Sequence, residues 1–244
     1  MRNIFIKLAY DGTNYCGWQV QPNENSICDE LIRAIYAITK EKPVIYGSGR
    51  TDSGVHAYAQ TANFFLNSQI PSEKLIGALN AKLPKDIVIN ELRDIDDSFN
   101  ARYCAIGKEY QYNIYNSQFM SPFYVNRSWH VRGTLDIDAM KKAGEVLVGE
   151  YDFSAFMSSG SSIKSTVRTI YKLDINAENE IITVSVYGNG FLYNMVRIIV
   201  GTLVFVGQSR LTPSDVKEIL DGCDRTKGAV TAPAEGLFLK QVLY

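Results

Sequence analysis

The chain has 244 residues, of which 46% are hydrophobic and 21% are charged, a composition typical of globular rather than disordered proteins. Its 25 basic and 26 acidic residues leave a net charge of −1, which neither predicts nor excludes a nucleic-acid partner, because a local basic surface can exist at any net charge. No apolar run is long enough to span a membrane, and the four cysteines show no C-x-x-C spacing. We therefore expect a cytoplasmic protein with reduced thiols and no contact with a membrane.

The first half of the chain alternates between strand-like and helix-like segments. The apolar pattern predicts strands over residues 4–10, 44–46, 58–66 and 87–89, and helices over residues 27–39 and 71–81. Ser26, with Asp29 three residues later, is typical of a helix start. The resulting order, β-α-β-β-α-β, matches a ferredoxin-like or RNA-recognition-type unit.

The second half repeats this theme less regularly. Strands are predicted over residues 108–116, 165–177, 181–187 and 237–242, and helices over residues 136–148 and 191–205, with a further helix opened by Pro213. We divide the chain into an N-terminal half, residues 1–103, and a C-terminal half, residues 104–244. The expected fold is α+β, with two ferredoxin-like halves that form a continuous, mostly antiparallel sheet, helices on one side and a central catalytic cleft.

Motifs of several enzyme classes are absent from the sequence. His56 and His130 are the only histidines, and neither an H-E-x-x-H motif nor a paired-cysteine spacing predicts a metal site. There is no P-loop and no G-x-S-x-G nucleophile elbow, although a Ser-His-Asp triad is not excluded by that alone. The segment Gly188-Asn189-Gly190 lacks the third glycine of a dinucleotide fingerprint. We expect neither a metal nor a cofactor.

The turn over residues 47–57 is the strongest candidate for a functional site. Glycines at positions 47, 49 and 54 surround Arg50 and Asp52 between two predicted strands. A carboxylate in such a turn is also typical of an Asx turn, in which its oxygen accepts backbone N–H groups, so the residues alone leave both interpretations open. We interpret His56 as a structural member of this turn rather than as a base.

Seven segments, in the same order along the chain, resemble the motifs of the TruA family of tRNA pseudouridine synthases. Residues 49–57 are similar to the catalytic motif of that family. The other segments are residues 10–13 with 15 and 17–19, residues 99–102, 108–112, 151–156, 190–197 and 232–239. Ser53 stands where the family more often has alanine, and this departure does not touch the residues expected to carry the chemistry.

The resemblance implies an isomerase that detaches uracil from its ribose, rotates it and reattaches it through carbon, without a cofactor. The implied substrates are uridines 38–40 in the anticodon stem-loop of tRNA, and the implied assembly is a homodimer. Asp52 matches the nucleophile, Tyr110 the tyrosine that stacks on the base and acts as general base, and Arg197 the ion-pair partner of Asp52. Arg50 and Leu237 match substrate-binding residues: Arg50 would hold the flipped nucleotide, and Leu237 would line the base pocket.

The implied chemistry is consistent with these residue types. A single carboxylate suffices because the detached base returns as the nucleophile, whereas glycoside hydrolases use a second carboxylate to activate water. A guanidinium beside Asp52 would favour its ionised form, and stacking on an aromatic ring would offset the unstacking of a flipped uridine. Attack on the ribose C1′ and attack on the uracil ring are both compatible with the sequence.

Two other classes of function stay open at this point. A non-catalytic RNA-binding module could keep the same scaffold, and Asp52 would then be dispensable. A glycoside or nucleoside hydrolase could use Asp52 as its nucleophile, but it would need a second acid, for which the sequence offers no marked candidate.

Overall fold

The computed structural model describes residues 1–160 and 163–244, which form a mixed α+β protein with five α-helices and ten strands that pair mainly antiparallel. The predicted α+β class is confirmed. The chain divides into two compact units: unit 1 comprises Met1–Ile106 with Phe238–Tyr244, and unit 2 comprises Gly107–Leu237. None of the helices in the described residues combines the length and apolar character that a membrane-spanning helix requires.

Unit 1 contains the predicted β-α-β-β-α-β order. Its elements are β1 (Arg2–Tyr10), α1 (Ile27–Thr39), β2 (Tyr46–Gly47), β3 (His56–Leu66), α2 (Ser72–Asn80) and β4 (Ile87–Ile95). β1 lies between β3 and β4 and is antiparallel to both, and β2 pairs antiparallel with β3. β4 continues well beyond the predicted residue 89 because it pairs with β1 as far as the Asn3↔Ile95 register.

Unit 2 is built around a second antiparallel set of strands. Its elements are β5 (Gly107–Asn116), β6 (Trp129–Val131), α3 (Ile137–Val146), β7 (Gly149–Asp152), β8 (Val167–Glu178), β9 (Ile181–Gly188), α4 (Met195–Gly207) and α5 (Pro213–Gly222). Strands β5, β9, β8 and β7 are neighbours in that order, and β6 pairs parallel with β5. The tight connection between β8 and β9 places Asn179 at a φ of 52°, in the left-handed region that asparagine tolerates.

The last strand, β10 (Leu237–Leu243), begins in unit 2 and belongs to unit 1 from Phe238 onward. It pairs parallel with the start of β3 through Phe238↔His56 and Leu239↔Ala57. The hydroxyl of Tyr244, just after its end, donates to the carbonyl of Ala101 at 3.0 Å. This bond fixes the far end of the strand.

Helix α4 forms much of the core of unit 2. Nearly all of its residues are buried and most are apolar, as expected for a helix that is largely enclosed by protein. Its backbone also approaches another segment closely, since a Cβ on Gly201 would stand 1.9 Å from the carbonyl oxygen of Val230. α4 is therefore closely packed, and it carries Arg197 in its first turn.

Candidate active site

Asp52 lies in the loop that connects β2 to β3 of unit 1. Its side chain is half-buried, and Arg50 in the same loop is exposed. The carbonyl oxygen of Asp52 accepts the N–H of Val55 at 3.1 Å, and Gly54 within this turn has a φ of 76°. Because side chains other than glycine disfavour that conformation, the turn that presents Asp52 depends on glycine at this position.

Residues 10–18 hold this loop on both sides of the carboxylate. The N–H of Trp18 donates to the carbonyl oxygen of Thr51 at 3.0 Å. The hydroxyl of Thr51 bonds to that of Tyr10 at 2.8 Å. On the other side, the N–H of Gly54 donates to the carbonyl oxygen of Tyr15 at 3.3 Å. The loop is thus attached through its backbone to a neighbouring segment, which limits how far the carboxylate can move.

The contact between Gly12 and the loop is tighter still. A Cβ on Gly12 would stand 2.0 Å from the carbonyl oxygen of Val55. The N–H of Gly12 donates to Nδ1 of His56 at 3.0 Å, and Oδ1 of Asp11 lies 3.2 Å from the same nitrogen. His56 is only 1% exposed, so its ring is buried where it contacts Gly12 and Asp11.

Gln60 fixes the stretch of chain that precedes Arg50. This side chain is fully buried on β3. Its Nε2 donates to the carbonyl oxygen of Gly49 at 3.0 Å, and its Oε1 accepts from the hydroxyl of Ser48 at 2.7 Å. Gln60 is not among the predicted site residues, although a glutamine inside the apolar run 58–66 is a usable signal, because a buried polar side chain must find partners.

Arg197 of unit 2 is held in a defined orientation. Its Nε donates to the carbonyl oxygen of Ala232 at 2.7 Å, and its Nη1 donates to Oδ1 of Asn194 at 2.8 Å. Asn194 directly precedes α4 at a φ of 60°, and its side chain makes no capping bond to the helix. These two acceptors fix the plane of the half-buried guanidinium. Asn194 was not predicted as an orienting residue.

Tyr110 lies on β5 and is only 9% exposed. Its ring contacts that of Phe191 edge-to-face, with centroids 5.1 Å apart and an interplanar angle of 86°. This arrangement is one of the two preferred for aromatic pairs and restrains the orientation of the tyrosine ring.

Leu237 follows a segment that is packed against Tyr112. The hydroxyl of Tyr112 donates to the carbonyl oxygen of Pro233 at 2.7 Å, and a Cβ on Gly236 would stand 2.5 Å from the Tyr112 ring. Burial raises the pKa of Tyr112, so its hydroxyl keeps its proton and acts as a donor. Leu237 itself is buried, with 6% of its surface exposed.

The predicted site residues therefore lie in both units. Arg50 and Asp52 share one loop of unit 1, and Tyr110, Arg197 and Leu237 belong to unit 2. Across the described part of the chain, no three histidine, cysteine or acidic side chains cluster in a way that could hold a metal ion. Unit 1 offers a carboxylate on a loop that is attached to residues 10–18, and unit 2 offers an oriented guanidinium and an oriented aromatic ring.

Comparison with known proteins identifies the family. A sequence profile described as tRNA pseudouridine synthase matches residues 7–104 and 143–244. The chain belongs to the tRNA pseudouridine synthase family. The resemblance found in its seven motifs is confirmed, and the chain is accordingly an isomerase that acts on tRNA uridines. A non-catalytic module and a hydrolase are not supported.

Relatives of full length agree with this assignment. The tRNA pseudouridine synthase A of Thermoanaerobacter sp. (strain X514) is 49% identical over 244 residues, which cover 100% of both chains. That of Acetivibrio thermocellus is 48% identical over 244 residues, again covering 100% of both. A chain of a Cbf5–Nop10–Gar1 complex aligns with 97% of this chain and 48% of its own at 11% identity, but its TM-score of 0.38 is too low to bear on fold or function.

Proposed function

We propose that this pseudouridine synthase modifies uridines 38–40 in the anticodon stem-loop of tRNA, with Asp52 as its nucleophile. The observation that carries the proposal is the loop around Asp52, which presents a half-buried carboxylate and is attached on both sides to residues 10–18. A homodimer working in the cytoplasm is part of the same proposal, and it follows from the resemblance to the TruA family.

The reaction needs no co-reactant. The Asp52 carboxylate forms a temporary bond to the target nucleotide, and the N1–C1′ bond of uridine breaks. The uracil then rotates, C5 bonds to C1′ and the bond to Asp52 breaks, which restores the carboxylate. The proton lost from C5 is balanced by one gained at N1. Water must be kept away during this exchange, because it would hydrolyse the intermediate instead of letting the base return.

Three residues of unit 2 complete the proposed site. Tyr110 stacks on the target base and accepts the C5 proton, and its edge-to-face contact with Phe191 supports this role by restraining the ring. Arg197 is the ion-pair partner that keeps Asp52 ionised. Leu237 lines the base pocket with an apolar surface.

The substrate assignment is tested by mapping pseudouridine at single-nucleotide resolution in an unmodified tRNA transcript incubated with the purified protein. We expect product at one or more of positions 38–40, and none there when those uridines are replaced by cytidine. Product only at other positions would overturn the anticodon stem-loop assignment. If no pseudouridine formed at any position of the tRNA, that result would overturn the proposed function as a whole.

Replacing Tyr110 by phenylalanine separates stacking from proton transfer. The ring and its contact with Phe191 are kept, so the dissociation constant for tRNA should stay within about twofold of wild type. Loss of the hydroxyl should slow the single-turnover rate by about 10²- to 10⁴-fold, the usual contribution of a general base. Tyr171→Phe, on the exposed part of β8, is the control and should keep the wild-type rate. An unchanged rate for Tyr110→Phe would leave stacking as the sole role of Tyr110.

Replacing Arg197 by lysine keeps the charge but removes the planar group. Lysine cannot donate to both Ala232 and Asn194 in the observed geometry, because its ammonium is a point charge rather than a fork. We expect the single-turnover rate to fall by about 10- to 100-fold, as is typical for lost hydrogen bonds to charged groups. Arg33→Lys, at an exposed arginine of α1, serves as control. A wild-type rate for Arg197→Lys would show that a positive charge alone suffices.

A further inference from the structure

Tyr58 is the exposed residue of strand β3, whose other residues are buried or partly buried. Of the residues of β3, all of which are described, Tyr58 alone is exposed, with 48% of its surface accessible, between Ala57 at 2% and Ala59 at 9%. A single exposed aromatic residue is common on protein surfaces and by itself indicates nothing. Here the ring also stacks on Phe238, and Tyr58 lies close in sequence to the loop that carries Asp52.

The ring of Tyr58 continues an aromatic stack that begins in the core. It lies nearly parallel to the ring of Phe238, with centroids 4.9 Å apart and an angle of 12°. Phe238 in turn stacks on His56 at 4.5 Å and 21°. Phe238 is 6% exposed and His56 is 1% exposed, so the two lower rings are buried and the third faces solvent.

The buried rings cannot easily shift. Phe238 belongs to β10, which pairs with β3 directly at the Phe238↔His56 register. The far end of β10 is fixed where the Tyr244 hydroxyl donates to Ala101. A ring that is already oriented loses little conformational freedom when a ligand stacks on it, and this favours binding.

The same stack supports the loop of Asp52. His56, the most buried ring of the stack, accepts the N–H of Gly12. Gly12 in turn packs so closely on the carbonyl oxygen of Val55 in that loop that no Cβ would fit between them. Tyr58 is two residues after His56 on the same strand. The exposed ring and the proposed nucleophile are thus carried by one continuous, restrained part of unit 1.

We propose that Tyr58 is a second stacking surface for the RNA, which receives an unpaired nucleobase adjacent to the target uridine. The inference rests on the proposed function. Flipping one nucleotide out of a stem-loop deprives its neighbours of a stacking partner. An aromatic ring restores that contact for any base, because every base has a π-face, so Tyr58 contributes affinity without selecting a sequence.

The test uses an anticodon stem-loop RNA that carries 2-aminopurine at each nucleotide next to the target uridine in turn. Binding is measured with Asp52→Asn protein as the parent, so that turnover does not interfere. The substitutions Tyr58→Leu and Tyr58→Phe are each introduced into this parent. We expect Tyr58→Leu to weaken binding by roughly 5- to 100-fold and to abolish the fluorescence change at one neighbouring position. Tyr58→Phe should bind as the parent does. Tyr171→Leu, which removes an equally exposed ring on β8, should have no effect.

Each outcome decides the inference. Tyr58→Leu protein that binds as tightly as its parent, with the same fluorescence change, would overturn it. Equal losses in Tyr58→Leu and Tyr58→Phe would assign the contact to the hydroxyl and would overturn stacking. Thermal denaturation should show that both variants fold, since the substituted side chain is half exposed. A parallel assay of pseudouridine formation by wild-type protein tests the proposed function separately, because its result does not depend on Tyr58.

Discussion

Gly12→Ala is expected to lower the free energy of unfolding by about 1–3 kcal/mol and to reduce the rate of pseudouridine formation about 100-fold. The added Cβ would stand 2.0 Å from the carbonyl oxygen of Val55, a backbone atom that no side-chain rotation can move aside. Val55 closes the turn that begins at Asp52, so relief of the clash displaces the loop that carries the carboxylate. Thermal denaturation and a single-turnover rate measure the two effects.

Gly77→Ala provides the matched control in the same unit. Gly77 lies in α2, and an added Cβ there meets no atom within 4 Å. The same chemical change should therefore stabilise the protein by about 0.5–1 kcal/mol, since alanine favours the helix, and should leave the rate unchanged. If Gly12→Ala were as active as Gly77→Ala, the position of Asp52 would not depend on residues 10–18.

Features set by short-range chemistry could be predicted from the sequence. The Ser26 side chain accepts the N–H of Asp29 at the start of α1, and Asp136 does the same for Ala139 at the start of α3. Pro213 occupies the first turn of α5, as predicted. In each case the deciding contacts lie within four residues, so a local pattern contains the necessary information.

Features set by distant partners could not be predicted in this way. The short strand β6 exists because it pairs with β5 through Ile114↔Trp129, and its own three residues carry no strand pattern. The prediction also extended α3 to residue 148, whereas the helix ends at Val146 and a new strand starts at Gly149, which has a φ of 135°. That strand, β7, is defined by its pairing with β8.

The candidate site shows the same division. Asp52 could be predicted because its motif is continuous in sequence. The residues that hold its loop are distant in sequence: Gln60 of β3 donates to the carbonyl of Gly49, and Trp18, in the loop before α1, donates to the carbonyl of Thr51. Gly47 is a further example of a contact between distant residues. A Cβ there would stand 2.5 Å from Nε1 of Trp18, and no local sequence pattern predicts that contact. Asn194 likewise resembles a helix cap in sequence but binds Arg197 instead.

Asp52→Asn is expected to have the largest effect of any single substitution. The amide has nearly the shape of the carboxylate but cannot act as a nucleophile, so the single-turnover rate should fall by at least about 10³-fold. Binding of tRNA should be retained, because the described contacts of Thr51, Ser53 and Gly54 with residues 10–18 are unchanged by the substitution. Asp97→Asn, at an exposed aspartate of unit 1, makes the same chemical change elsewhere and should leave the rate as it is.

The most direct measurement is a single-turnover time course with enzyme in excess over unmodified tRNA, in which pseudouridine is counted at each nucleotide for wild-type and Asp52→Asn protein side by side. Filter binding on the same samples shows that both proteins hold the tRNA. We predict that wild type converts its target uridine to completion and that Asp52→Asn forms product at least about 10³-fold more slowly while binding tRNA as tightly. Product formed by Asp52→Asn at a rate close to that of wild type would contradict the assignment of Asp52 as the nucleophile.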